Sequence, residues 1–433
     1  MNVRAYFGFA RLLATVCDIR YDCEMKIWIK LLIGSALGIV FGIVAPENEP
    51  FLEVLALLER FVLQLGRYAL VPVLFFSLAI ATHELLKDKR FWPIVVKNIM
   101  LIASVSFFVI VVGVLATLAM SPARIPIMAE EQIEAARLDV AQSAMELFPS
   151  NMFAVFSGDG SFLLPLYLFA FFLGMSLSYD KTYSRPVINL IDSLSRIFFH
   201  ISSFFIEILG FMMIVLSAYW AIRFRGAWQT GVFGELIVML AVIAGILGFV
   251  ILPLALCLLK PRPNPFAAAY GSLGPAIAAF FSGDVNFTLL ALIRHGRESF
   301  GIKRRSSALT LAMFATFCRG GSAMVAAAAF IVIFKSYSSI GISAVEVILI
   351  CFQAFAVSFL LARHPGSGAY AALAVLCLGF GRGFEDGYLI LRPVAFYLIG
   401  IGTFLDVMIA SLANYAMAKV NGYAEDKSMG QYI

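Results

Sequence analysis

From residue 27 to residue 418 the chain runs through one apolar segment after another, most of them long enough for a helix to cross the roughly 30 Å hydrocarbon core of a bilayer. Spans fall at Ile27–Val44 and at 52–81, 94–120, 162–177, 197–222 and 236–259, and no soluble domain fits between them. The fold class expected is therefore an all-α polytopic membrane protein. Composition agrees: 61% of residues are hydrophobic and 14% charged, against about 45–50% and 25% in soluble domains.

Beyond residue 260 the pattern changes. Segments 266–281 and 285–292 are each too short to cross and are joined by Ser282-Gly283-Asp284, which predicts a hairpin entering and leaving on one side. Segments 345–361 and 369–380, joined by Arg363-His364-Pro365-Gly366-Ser367-Gly368, predict a second hairpin. Between them, 308–334 is apolar except for Arg319, which Gly320, Gly321 and Ser322 follow directly. A guanidinium at bilayer depth costs at least about 2.5–3.5 kcal/mol and persists only beside a counter-charge or a water-filled cavity. Adjacent glycines let the helix unwind there, and unwound backbone at that depth is tolerated only where it borders a cavity. This pattern is that of a transporter, with a final span at 394–418.

Basic residues orient the chain. Lys87, Lys89, Arg90 and Lys97, then Lys181, Arg185 and Arg196, then Arg294, Arg297, Lys303, Arg304 and Arg305 fall on one side by alternation of spans. The positive-inside rule makes that side cytoplasmic, places both termini there and fits a cell (inner or plasma) membrane. Glu47, Glu49, Glu130, Glu131, Glu134 and Asp139 fall opposite, with Arg223 and Arg225 as exceptions on that side, and the two hairpins then enter from opposite sides, an inverted repeat suited to alternating access. The net charge of +5 is ordinary for such a protein and implies no nucleic-acid partner. The six cysteines show no metal-ligand spacing, and no cofactor or metal is expected. No nucleophile–base pair or phosphate loop suggests an enzyme. Residues 1–24 lack the features of a signal peptide, and Met25 is an alternative start.

Leu70-Val71-Pro72-Val73-Leu74-Phe75-Phe76-Ser77-Leu78, then Phe148-Pro149-Ser150-Asn151-Met152-Phe153 leading into Phe169-Ala170-Phe171-Phe172-Leu173-Gly174, resemble the dicarboxylate/amino acid:cation symporters, the glutamate transporter family. The resemblance implies eight transmembrane helices, two inverted re-entrant hairpins, a homotrimer and an elevator-like transport domain moving against a scaffold. It divides the chain into an extension (1–24), scaffold helices 1–2 (25–93), helix 3 of the transport domain (94–120), and the extracellular loop with scaffold helices 4–5 and helix 6 (121–259). Hairpin 1 (260–300), helix 7 (301–340), hairpin 2 (341–386), helix 8 (387–420) and a cytoplasmic tail (421–433) follow. It also implies a small-molecule substrate, an amino acid or dicarboxylate.

Several of the family's functional motifs are changed. The family's Asn-Met-Asp-Gly-Thr is replaced by Cys318-Arg319-Gly320-Gly321-Ser322, without the aspartate. In the last helix Asp406 matches the residue that holds a substrate amine, but the next Arg, Asn and Asp positions fall at Ile409, Ala413 and Met417. The serine-rich first tip reads Asp284-Val285-Asn286-Phe287-Thr288. Sodium prefers several hard oxygen ligands with carboxylate charge, so the usual sodium sites look dismantled and sodium or a proton remains open as coupling ion. Candidate substrate-binding residues are Asp406, Arg319, Ser322, Asp284, Asn286, Thr288, Arg363, Pro365, Gly366, Ser367 and Gly368. Gate or coupling candidates are His364, Cys318, Gly320 and Gly321.

Competing readings stand beside these. Asp406 either meets a substrate ammonium or pairs with Arg319, and Arg319 faces either Asp406 or Asp284 as a fixed charge replacing a bound ion. Asp284 and Asn286 either contact substrate or cap helices. His364 either supports proton coupling or is solvated. Glu59, Arg60, Arg67 and Glu207 are expected to be interfacial, paired or snorkelling. The expected activity is secondary transport with atypical coupling, with or without sodium; the alternative is a transport-deficient homologue acting as an anion channel or membrane sensor.

Overall fold

The computed structural model describes residues 27–425 apart from 46–47, 121, 127–139, 159, 180, 230, 259–264, 338–340 and 382. The extension 1–24 and the acidic residues Glu47, Glu130, Glu131, Glu134 and Asp139 lie outside the described residues. Among the described residues eight helical stretches are long and apolar enough to cross a membrane, residues 49–87 counted as one of them. Among the described residues the only β-type pairing is a single antiparallel bridge between Ile302 and Ala424.

The first helix, α1 (Ile27–Val44), packs along α7 (Lys181–Gln229). Small residues make the seam: Gly34 faces Gly210, Gly38 faces Ile214 and Ser217, and a Cβ at Gly42 would stand 2.6 Å from the Ala218 carbonyl. Lipid supplies no hydrophobic drive between helices, so close backbone approach through small residues holds such pairs.

The predicted span 52–81 is two helices, α2 (Glu49–Arg67) and α3 (Leu70–Lys87). Pro72 has no N–H to offer the Tyr68 carbonyl and its ring crowds it, which breaks the helix at Tyr68-Ala69. After α4 (Phe91–Met120) come a short helix α5 (Val140–Glu146) and a 3₁₀ turn (Met152–Phe156), neither of them expected, then α6 (Leu164–Tyr179). The predicted span 197–222 is the middle of α7, whose 49 residues reach about 73 Å at 1.5 Å per residue. Hydropathy sees only its apolar centre. Helix α8 (Gly234–Ile246) continues through a π turn (Leu247–Ile251) just before Pro253, which cannot donate to the Phe249 carbonyl.

Both hairpins form. In the first, α9 (Pro265–Ser282) and α10 (Val285–Glu298) meet at Gly283-Asp284; α10 runs six residues past its predicted end at 292. That polar extension is held by α7: Arg294 donates to the Ser203 carbonyl (2.8 Å) and to Glu207 (3.1 Å). In the second, α13 (Ala344–Leu360) starts with a capping box between Ser343 and Glu346 and turns through Leu361–Arg363 into α14 (Gly368–Phe380). The interrupted helix is α11 (Arg304–Phe317) and α12 (Gly320–Tyr337), broken at Cys318-Arg319. With α15 (Ala395–Val420) these elements form the most buried part of the molecule, where every α12 residue from Gly320 to Phe334 is buried between α4, α14 and α15.

Candidate functional site

Where α12 begins, its first N–H groups have no partner in the preceding turn. Asp406 on α15 supplies one: its Oδ1 accepts from Gly321 N (2.8 Å) and Ser322 N (3.1 Å), and its Oδ2 from Ser322 Oγ (2.6 Å). A carboxylate at a helix N-terminus also meets the positive end of the helix dipole. The approach requires glycine, because a Cβ at Gly321 would lie 2.5 Å from Leu405 Cβ and 2.9 Å from Asp406 Oδ1. At Gly320 a Cβ would lie 2.7 Å from Ser106 Cα on α4, and the neighbouring Cys318 thiol sits 3.6 Å from Ser106 Oγ.

Arg319 closes the same cluster. Its Nε stands 3.3 Å from Asp406 Oδ2, and both side chains are 1% exposed. Its Nη2 donates to the carbonyls of His364 and Pro365, each at 3.2 Å, at the tip of the second hairpin. The ion pair therefore ties three elements together: the helix break, α15 and the hairpin tip. Gly368 leaves room for the guanidinium, since a Cβ there would lie 2.6 Å from Nη2. The two hairpin tips also meet each other, with Val285 N donating to the Pro365 carbonyl (3.3 Å).

At the first tip Asp284 has two partners. Its Oδ1 caps α10, accepting from Asn286 N (2.8 Å) and Phe287 N (3.4 Å), and its Oδ2 accepts from Arg67 Nε (2.7 Å) and Nη2. Asp284 is 1% exposed, and Arg67 comes from the C-terminal end of α2. The Asn286 amide donates to the carbonyls of Gly160 (3.0 Å) and Ser161 (2.9 Å). The first tip is thus pinned to α2 and to the segment before α6.

Asp406, Arg319, Gly320, Gly321, Ser322, Gly368 and the carbonyls of His364 and Pro365 form one cluster, and Asp284 and Asn286 adjoin it through Val285. Gly366 lies between them: its Cβ position is 3.8 Å from Arg67 Nη2 and 3.9 Å from Asp284 Cβ. Ser367 precedes α14 without a side-chain cap bond, and His364 Nδ1 is buried without a hydrogen-bond partner among the described residues. Two candidates are directed elsewhere. Thr288 Oγ1 donates to the Val285 carbonyl of its own helix, and Arg363 pairs with Glu146 of α5 at 2.8 Å. Sequence reasoning missed the role of Arg67, read only as interfacial, paired or snorkelling. The signal was present: a buried Asp284 needs a cation as much as a buried Arg319 needs an anion.

Ile409, Ala413 and Met417 line a mostly apolar groove of about 380 Å³ with Leu252, Leu256 and Val105, between α4, α15 and the residues that follow the π turn. Their side chains carry no oxygen, and the Asp406 carboxylate is already occupied by Arg319, Gly321 and Ser322. The side chains of Ile409, Ala413 and Met417 supply none of the hard oxygen ligands that a hard cation prefers.

No curated protein matches the chain. A family model described as the sodium:dicarboxylate symporter family matches residues 27–420, from the first residue of α1 to the last of α15. With both hairpins and the broken helix inside that match, the chain belongs to the sodium:dicarboxylate symporter family, a family of membrane transporters.

Proposed function

We propose that this protein is a secondary transporter for a small organic anion, a dicarboxylate or an amino acid, and that its fixed Arg319 charge replaces the coupling cation. The observation that carries the reading is the buried Arg319–Asp406 ion pair at the junction of the hairpins. An ammonium group reaches Asp406 only by displacing Arg319. A carboxylate has an easier route: it takes over the Nη2 donors that the His364 and Pro365 carbonyls hold. Opening of the second tip breaks those two bonds and presents the guanidinium, whose planar fork suits a carboxylate. The carboxylate is charged and the carbonyls are not, so the exchange strengthens the contact. Arg67 and Arg319 lie against Gly366 and Gly368 of one tip, so a dicarboxylate has a cation at each end.

The same reading includes elevator movement of both hairpins with α11, α12 and α15, a homotrimer and cytoplasmic termini in the cell membrane. Exposed apolar side chains on α2, such as Leu57 and Phe61, offer a face to lipid or to another protomer. Uptake of labelled succinate, aspartate and related acids into liposomes tests the proposal, under a sodium gradient, a proton gradient and neither. Uptake indifferent to sodium and lost in Arg319→Met is the expected result. Concentrative uptake that requires sodium would overturn the fixed-charge part, and no uptake of any acid would overturn the transport reading.

A further inference from the structure

A cavity of about 680 Å³ opens between the end of α3, the first half of α7 and the turn from α10 to α11. Lys87, Arg196, Arg297, Lys303, Arg304 and Arg305 line it, against three carboxylates, Glu84, Asp88 and Glu425. Part of the charge is compensated. Arg304 and Arg196 both pair with Asp192, and Arg305 pairs with Asp88 at 2.7 Å. Lys87, Lys303 and Arg297 have no carboxylate partner among the described residues, and Arg297 instead lies 4.9 Å above the Phe199 ring.

One wall is built in advance. The Ile302–Ala424 bridge is flanked by Lys303 N donating to the Tyr423 carbonyl (2.9 Å) and Glu425 N donating to the Gly301 carbonyl (3.2 Å). Arg305 stacks on Tyr423 at 4.7 Å. The cationic side chains at the turn are thereby presented from a fixed backbone. A cleft lined by one sign of charge between low-dielectric walls focuses its field and raises the local concentration of counter-ions. The volume is many times that of a water, and forked arginine donors match phosphate geometry.

We propose that this cavity binds a phosphate-bearing anion, either a lipid headgroup or a soluble phosphate compound. The basic side of a membrane protein faces the anionic leaflet, which attracts such clusters. The bound phosphate bridges Arg297 at the end of α10 and Lys303 on the following turn to Lys87 and Arg196 on α3 and α7, and so holds the first hairpin against the helices beside it.

Thermal unfolding of the full chain tests this. In detergent, potassium pyrophosphate is titrated against potassium chloride at equal ionic strength. In nanodiscs, phosphatidylcholine is compared with a mixture containing phosphatidylglycerol. A rise in Tm with pyrophosphate, or with phosphatidylglycerol alone, is expected; the first result identifies a soluble ligand and the second a headgroup. In Arg297→Gln/Lys303→Gln the concentration or lipid fraction giving half the rise should increase by about tenfold or more, the effect of losing one charge-assisted hydrogen bond. Arg392→Gln, outside the cavity, should respond as the wild type, and Lys303→Gln alone carries the comparison if the double variant does not fold. A rise with chloride equal to that with pyrophosphate and no rise with phosphatidylglycerol, no rise with pyrophosphate or with phosphatidylglycerol, or an unchanged response in the cavity variants would overturn the proposal. Neither readout involves transport, so the result stands apart from that of the uptake assay.

Discussion

The Asp406 carboxylate caps the N-terminus of α12 with one oxygen and holds the Arg319 guanidinium 3.3 Å from the other. One side chain thus satisfies the backbone of a broken helix and neutralises a charge that the bilayer interior does not tolerate alone. The pair is buried on both sides, so its two members depend on each other more than on solvent.

Removing one member should cost more than removing both. Asp406→Asn leaves a buried guanidinium uncompensated, and a loss of about 3–5 kcal/mol in stability is expected. Arg319→Met with Asp406→Asn should recover much of that loss, because neither residue then carries a buried charge. Thermal unfolding of the two single variants and the double variant in detergent reads the coupling; additive effects would show that the pair is energetically inert.

Asp284 has two separable roles. Asp284→Asn keeps a good helix cap but loses the ion pair with Arg67, whereas Asp284→Ala loses both. The alanine variant should be less stable by about 1 kcal/mol than the asparagine variant, the usual value of an N-cap. Hydrogen exchange at the Asn286 and Phe287 amides should rise only in the alanine variant.

The glycines at the crossing points are steric requirements. Gly368→Ala places a Cβ 2.6 Å from Arg319 Nη2, and Gly321→Ala places one 2.5 Å from Leu405 Cβ. Both should lower Tm and abolish uptake. Gly245→Ala on α8 meets nothing within 4 Å and should stabilise slightly, by up to about 1 kcal/mol from helix propensity.

Cutting the tie between the first tip and α2 should change how freely that tip moves. Arg67→Gln leaves Asp284 buried without its cation, while the cap on α10 remains. A cysteine placed at Gly366 should then react faster with a membrane-impermeant maleimide than in the parent background. An unchanged labelling rate would show that the Arg67–Asp284 pair does not restrain the junction.

Apolar run length was enough to read the membrane class and the two hairpins, because transfer of a segment into lipid depends on local composition and needs no partner; the break at Cys318-Arg319 was read from a charge and adjacent glycines inside an apolar run. The same locality explains where the reading stopped: α7 extends well past its apolar centre, and α10 runs on through Arg294, Arg297 and Glu298, since hydropathy does not register a helix that leaves the bilayer. Arg319, Asp406, Arg67 and Asp284 were visible as charges in apolar surroundings, and the sequence therefore required partners for them. Which charge meets which was decided by tertiary structure alone, Arg319 with Asp406 and Arg67 with Asp284, across separations of 87 and 217 residues. Coulomb attraction and hydrogen bonding act over a few ångströms in space, and only the packing of α12 against α15 and of α10 against α2 brings those side chains within that range.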